Sequence, residues 1–251
     1  MYLRGIFPFL ERKEMNLSVK VIGAGGIGSC LLPTLARLLN YSSGDYKFST
    51  TKLTIIDGDV YEPRNSKRQA FGKFANKAMV TCESLKKEYG NVEFDHQEEY
   101  VHEDTISDFI EENDIVFLCV DNHATRSLVS KYCEKNLKDV VLISGGNEIT
   151  DGNVMVFHKK NGKNLTMPLH SKYHEEINNP NDAIPEPEDY IKKSMDCSAA
   201  AKVDPQLLIA NFSVANSMLC AFHGIVSNGK VDYDEVYFDI NANAARPVKR
   251  G

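Results

Sequence analysis

Val19-Lys20-Val21-Ile22-Gly23-Ala24-Gly25-Gly26-Ile27-Gly28 is the stretch on which the fold turns. A β-branched run (read as a strand over 19–25) ends in glycines, and apolar residues at helical spacing follow from Ile27 to Leu39. A buried parallel strand running through a glycine turn into a helix is the opening unit of a nucleotide-binding α/β domain. Glycines let the backbone approach a phosphate, and the amides of a helix N-terminus favour negative charge. A tight turn serving helix–strand packing alone is the plain alternative.

Working outward, KLTIID (52–57) reads as a second strand and residues 74–89 as a helix. A third strand lies near Val92–Asp95 and a short acidic helix over 103–112. DIVFLCVD (114–121) is a buried strand, Ala124–Leu137 a helix, and DVVLISGG (139–146) and NVMVFHK (153–159) two further strands. This alternation predicts a doubly wound, Rossmann-like, mostly parallel sheet with helices on both faces. The polar stretch 40–51 reads as a loop. That insertion accounts for Asp57 lying further from Gly23 than the roughly 20 residues usual after a glycine fingerprint. Residues 160–196 carry little periodicity and read as a long crossover loop. PQLLIANFSVANSMLCAF (205–222) reads as an apolar helix, and VYFDIN (236–241) as a C-terminal antiparallel edge strand. The expected organisation is an N-terminal segment (1–18), a nucleotide-binding core (19–159), a crossover region (160–204), and a C-terminal helix and strand (205–251) completing the same domain.

Bulk properties narrow the function. The 251 residues are 42% hydrophobic and 25% charged, with a formal net charge of −6. There is no overall basic footprint, so nucleic acid is not the expected partner. No stretch reads as the roughly 20 apolar residues that span a bilayer, and residues 1–15 are too short and charged for a signal peptide. The expected location is cytoplasmic. The six cysteines form no C-x-x-C pair, so no local zinc signature exists. His170 and His174 stand at i, i+4 spacing in the polar loop, without a third ligand at a diagnostic position.

The residues with chemical potential fall at strand ends. Asp57 closes the second strand, where an acid can accept from ribose hydroxyls. Asp59, Asn65, Lys67 and Arg68 follow, and Lys77 opens the next helix; a dehydrogenase has no need of such a cluster, whereas a triphosphate does. Asp121-Asn122 ends the 114–121 strand with Arg126 just beyond. A carboxylate there faces the same crevice and suits Mg²⁺ beside phosphates; capping and pairing within the turn is the alternative.

These motifs, in this order, resemble the ThiF/MoeB/ubiquitin-activating superfamily. They are Gly23–Gly28, Asp57-Gly58-Asp59-Val60, Asn65-Ser66-Lys67-Arg68-Gln69, Lys77, Asp121-Asn122 and Arg126, with 144–157 resembling the family's next strand pair. The resemblance implies an adenylyltransferase using ATP and Mg²⁺ on the C-terminal carboxylate of a ubiquitin-like or sulfur-carrier protein. Gly23, Gly25, Gly26 and Gly28 would cradle the phosphates, and Asp57, Asp59 and Asn122 would line the nucleotide site. Asn65, Arg68 and Lys77 would bind the triphosphate, and Asp121 would ligate Mg²⁺. It further implies a homodimer, with an N-terminal arginine (Arg4 or Arg12) reaching the neighbouring site, and a conjugating enzyme as a possible further partner. Cys197, after the crossover loop, stands where family members carry an acyl-accepting cysteine; a buried structural thiol is the other reading. The family's C-x-x-C pairs are absent, and Ser198-Ala199-Ala200-Ala201 replace the glycines that often follow the cysteine. A dehydratase-type relative acting on an RNA-borne carboxylate, a nicotinamide-dependent oxidoreductase and a non-catalytic binding module remain as rival readings.

Overall fold

The computed structural model describes residues 15–45, 48–67, 69–186 and 208–250. Strand β1 (Met15–Ile22) leads into helix α1 (Gly26–Asp45), then β2 (Phe48–Ile56), α2 (Lys77–Glu88) and β3 (Glu93–Gln97). After a short α3 (Ile106–Phe109) come β4 (Ile115–Leu118), α4 (His123–Asn136), β5 (Val140–Asn147) and β6 (Asp151–Lys160). A two-residue β7 (Lys163–Asn164), α5 (Glu175–Asn178), the long α6 (Leu208–Asn228), β8 (Glu235–Asp239) and β9 (Ala244–Val248) complete the described chain.

The sheet runs β3-β2-β1-β4-β5-β6-β8-β9, with β7 paired off β6. The first five strands are parallel and the last three antiparallel. Strand order reverses between β1 and β4, and ligands in open α/β sheets bind in the crevice at that switch point. Alternation along the strands sorts side chains to two cores. Val19, Val21, Leu53, Ile55 and Phe117 pack toward α1 and α6; Ile22, Ile56, Val116 and Leu118 pack toward α3 and α4.

Three sequence expectations change. The loop expected over 40–51 does not exist as such, because α1 continues to Asp45 and β2 begins at Phe48. The extra length before Asp57 is therefore helix and strand. β8 is antiparallel as expected, but β9 lies outside it and forms the edge. By length and apolar composition α6 would pass for a membrane span. Here it is a core helix, with Val214, Met218 and Phe222 buried against the sheet.

The segment between β7 and residue 186 is held by individual polar contacts and by two buried side chains, Leu169 and Ile177, that join the core facing α3 and α4. Met167 donates its N–H to Asp234 Oδ1 (2.9 Å), and Leu169 its N–H to Ser130 Oγ on α4 (3.0 Å). His174 sits between Glu235 (2.8 Å) and Glu176 (3.1 Å), while Arg250 pairs with the same buried Glu235. Asp182 accepts from the N–H groups of His123 (2.6 Å) and Ala124 (2.8 Å) at the start of α4, where a carboxylate suits the helix dipole.

The hydrogen bond to Glu235 raises the His174 pKa, against opposing burial and with help from Glu176. A raised folded-state pKa means the imidazolium stabilises below its unfolded value near 6.5 and that this is lost as pH rises through the folded value. His174→Gln is expected to cost on the order of 1–3 kcal/mol at pH 5.5 and progressively less toward pH 8.5, measured by urea unfolding. A cost that does not change with pH would contradict the charged pair.

Candidate functional site

The C-terminal ends of β1, β2 and β4 open into one cleft of about 1400 Å³. Gly23 has φ +95°, and a Cβ there would lie 2.7 Å from the Cys119 carbonyl oxygen, so the turn is pressed against the end of β4. At Gly28 a Cβ would meet the Gly23 carbonyl oxygen at 2.1 Å. Gly25, by contrast, has open space where a side chain would point. The glycines therefore do two jobs: Gly23 and Gly28 permit the close turn, and Gly25 keeps the backbone bare toward the cleft.

Asp57 is tied to that turn. Its Oδ2 accepts the Ala24 N–H at 2.6 Å and its Oδ1 the Asp59 N–H at 2.8 Å. Burial pushes its pKa up to about 6, and the Asp59 charge adds to this; Lys77 and the two N–H donors pull it down without overcoming burial. Each carboxylate oxygen keeps a lone pair beyond the bond already made, so acceptor capacity for a ribose remains.

Asp59 holds the cation. Lys77 Nζ lies 2.6 Å from Asp59 Oδ2, and the Tyr100 hydroxyl donates to the other oxygen. Burial alone would lower the Lys77 pKa, but Asp57 and Asp59 together raise it. The ammonium thus stays charged in a site that is 7% exposed. Asn76, which sequence reasoning passed over, positions this lysine. Its Oδ1 caps α2 at the Met79 N–H (3.0 Å), and its Nδ2 donates to the Asp57 carbonyl (2.7 Å). An Asn directly before a helical run is an N-cap signal, so the residue was readable.

Asn65 is nearly buried and accepts the Glu62 N–H on Oδ1 at 2.8 Å, which leaves its NH₂ end as the donor for a ligand. Gln69 lines the cleft, is 8% exposed, and its Oε1 has no partner among the described residues. Such a buried acceptor calls for a donor from beyond the described residues. Arg68 and Cys197 lie outside the described residues, as do Arg4 and Arg12.

On the β4 side, Asp121 is exposed and lines the cleft. Asn122 lines it too, and caps α4 by accepting the Thr125 N–H at 2.8 Å. Arg126 is 5% exposed and donates to Ser144 Oγ (2.7 Å) and to the carbonyls of Val120 (2.6 Å) and Gly145 (2.8 Å). It stitches the ends of β4 and β5 together and itself lines the cleft. His170 and His174 do not converge: His170 bridges Ser130 (2.8 Å) and Glu134 (3.1 Å), remote in partners from the His174 pair. No group of three potential metal-ligating side chains occurs among the described residues.

A Rossmann-like sheet with a bare glycine turn, a strand-end acid and a buried lysine defines a nucleotide-binding α/β protein. Residues 9–229 match the ThiF family, and the chain belongs to that family. Among curated proteins, it is 30% identical over 156 residues to an adenylyltransferase and sulfurtransferase UBA4 from Scheffersomyces stipitis, covering 59% of this chain and 32% of that protein. It is 29% identical over 155 residues to adenylyltransferase and sulfurtransferase MOCS3-1 from Zea mays, covering 59% and 30%. The chain thus spans about a third of the length of these relatives. Among solved structures, Escherichia coli MccB with ATP superposes with a TM-score of 0.67 at 15% identity, over 94% of this chain and 64% of that one. PaaA superposes with a TM-score of 0.64 at 13% identity, over 93% and 64%. At such identities these structures bear on the fold.

The raised Asp57 pKa has a testable sign. Ionising Asp57 costs the folded state as pH climbs from about 4 to 6, by up to about 3 kcal/mol. The melting temperature of the protein minus that of Asp57→Asn should therefore fall over that interval and level off above it. A difference independent of pH would mean that Lys77 and the two N–H donors fully offset burial.

Proposed function

We propose that the chain adenylates the C-terminal carboxylate of a ubiquitin-like or sulfur-carrier protein, using ATP and Mg²⁺. The observation that carries this reading is convergence. Gly25, Asp57, Asn65, Lys77 and Asp121, from widely separated positions, line one cleft above the strand-order reversal. That cleft exceeds the roughly 300–1,000 Å³ of ordinary small-molecule pockets, which suits a nucleotide together with an extended peptide tail. The name adenylyltransferase carried by the curated relatives supports the same chemistry, and MccB has been solved with both ATP and the partner MccA.

The residues present fit the nucleotide: the bare Gly25 backbone faces a phosphate, and the unpaired Gln69 acceptor and the Asp57 carboxylate await donors. Bound ATP supplies an electrophilic α-phosphorus and a pyrophosphate leaving group, so the tail carboxylate ends as a mixed anhydride with AMP. Asp57 holds the ribose, Lys77 and Arg68 neutralise the phosphates, and Asn65 donates to them. Asp121 would hold Mg²⁺, an ion that takes few protein ligands and would offset phosphate charge.

Three further assignments belong to this reading. Cys197 takes the acyl group: its thiolate attacks the acyl carbon and AMP departs. The protein acts as a homodimer in the cytoplasm, passing its product to a conjugating enzyme. For the dimer, the exposed positions of α6 — Leu208, Ile209, Phe212, Asn216, Cys220, His223 and Asn228 — carry no Asp, Glu, Lys or Arg. Two copies of an acidic chain can meet there without like-charge repulsion.

Saturating ATP with Mg²⁺ is expected to raise the melting temperature by roughly 5–10 °C, and NAD to leave it unchanged. With a cognate carrier, Asp121→Ala should lose ATP–pyrophosphate exchange on the order of a hundredfold, while Cys197→Ala retains it. Stabilisation by NAD alone, or full exchange in Asp121→Ala, would overturn the respective assignments.

A further inference from the structure

Helix α6 contains a side chain that packing does not explain. Asn211 is 0% exposed, yet neither its Oδ1 nor its Nδ2 has a hydrogen-bond partner among the described residues. A leucine would fill the same volume without leaving buried polar atoms unpaired, and native proteins leave few such groups without a reason.

Its place suggests the reason. A Cβ at Gly26 would lie 2.8 Å from Asn211 Nδ2 and 3.2 Å from its Oδ1. The carboxamide therefore rests directly against the α-carbon of the first residue of α1. That residue is glycine because Asn211 occupies the space a side chain would take. Asn211 does not line the cleft; it stands behind the turn, on the α6 side.

The Gly25–Gly26 peptide joins the two. In a trans peptide the N–H and the preceding C=O point in opposite directions. Aiming the Gly26 N–H at an anion in the cleft thus turns the Gly25 carbonyl away from it. That carbonyl accepts the Ser29 N–H at 2.9 Å, which leaves it a second lone pair. We propose that Asn211 is a positioning residue for the phosphate-binding turn: its Nδ2 donates to the Gly25 carbonyl when a phosphate group is held at the N-terminus of α1. The carboxamide nitrogen thereby gains a partner, so it favours the turn conformation that presents the Gly26 N–H. This rests on the nucleotide reading given above and adds to it a residue from the opposite end of the chain.

The test uses ¹⁵N-labelled protein titrated with ATP and Mg²⁺. The Asn211 side-chain NH₂ resonance is identified by its disappearance in Asn211→Leu. On saturation it should move downfield and exchange with water more slowly. Asn211→Leu should melt at the same temperature as the parent or higher without nucleotide, and bind ATP about tenfold more weakly. Asn211→Ser serves as a second variant should the leucine not fold, with the same loss of affinity expected. If the parent binds ATP while the NH₂ resonance stays fixed and the variants bind equally well, Asn211 has no positioning role and the nucleotide reading stands. If the parent fails to bind ATP, the nucleotide reading itself falls.

Discussion

A buried carboxylate accepting one backbone N–H is the interaction on which this architecture depends. Asp57 at the end of β2 takes the Ala24 N–H at 2.6 Å, fixing the glycine turn against the neighbouring strand. The same residue takes the Asp59 N–H, and Asp59 in turn takes the Lys77 ammonium. One chain of contacts thus runs from the glycine turn to the Lys77 ammonium. A charge removed from water is costly unless paired and hydrogen-bonded. Here the pairing is incomplete enough to leave Asp57 with a pKa near 6. On the function proposed above, a ribose as donor would improve that balance, so the group that organises the turn is also one that gains from a ligand.

Much of the frame was legible because local signals and tertiary packing agree. β4 and the first half of β5 are continuous apolar runs, and buried parallel strands read that way. What was misread lies at exposed ends. The last turns of α1 run through polar residues, with Tyr41 68% exposed, and such a stretch carries no apolar period to read. β9 is solvent-exposed along most of its length and contains Pro247, which belongs on an edge strand but suppresses any strand signal.

The site divides in the same manner. Asp57, Lys77 and Asp121 could be placed from their position after strands or at a helix start. The fate of Arg126 could not be read: whether a guanidinium after D-N points at a ligand or into the floor is decided by Ser144 and Gly145, far along the chain. Asn211 is an extreme case, since nothing within an apolar helix announces that one carboxamide will meet the glycine turn.

The roof of the cleft follows a different physics from its floor. Glu176, Ile177, Pro185 and Glu186 overhang it, on a segment whose sequence showed no periodicity. The absence of periodicity has a structural counterpart. A segment docked through Ser130, Asp234, Glu235 and the α4 amides, with only Leu169 and Ile177 reaching the core, needs particular atoms at irregular intervals, not an apolar stripe. The polar contacts are worth about 1 kcal/mol each, and the two apolar side chains tie the segment into the core that β4 and β5 share. On the function proposed above, a polypeptide tail reaching the glycine turn would have to pass this segment. The part of the fold with few apolar anchors thus lines the same cleft as the glycine turn, which the two sheet cores hold in place.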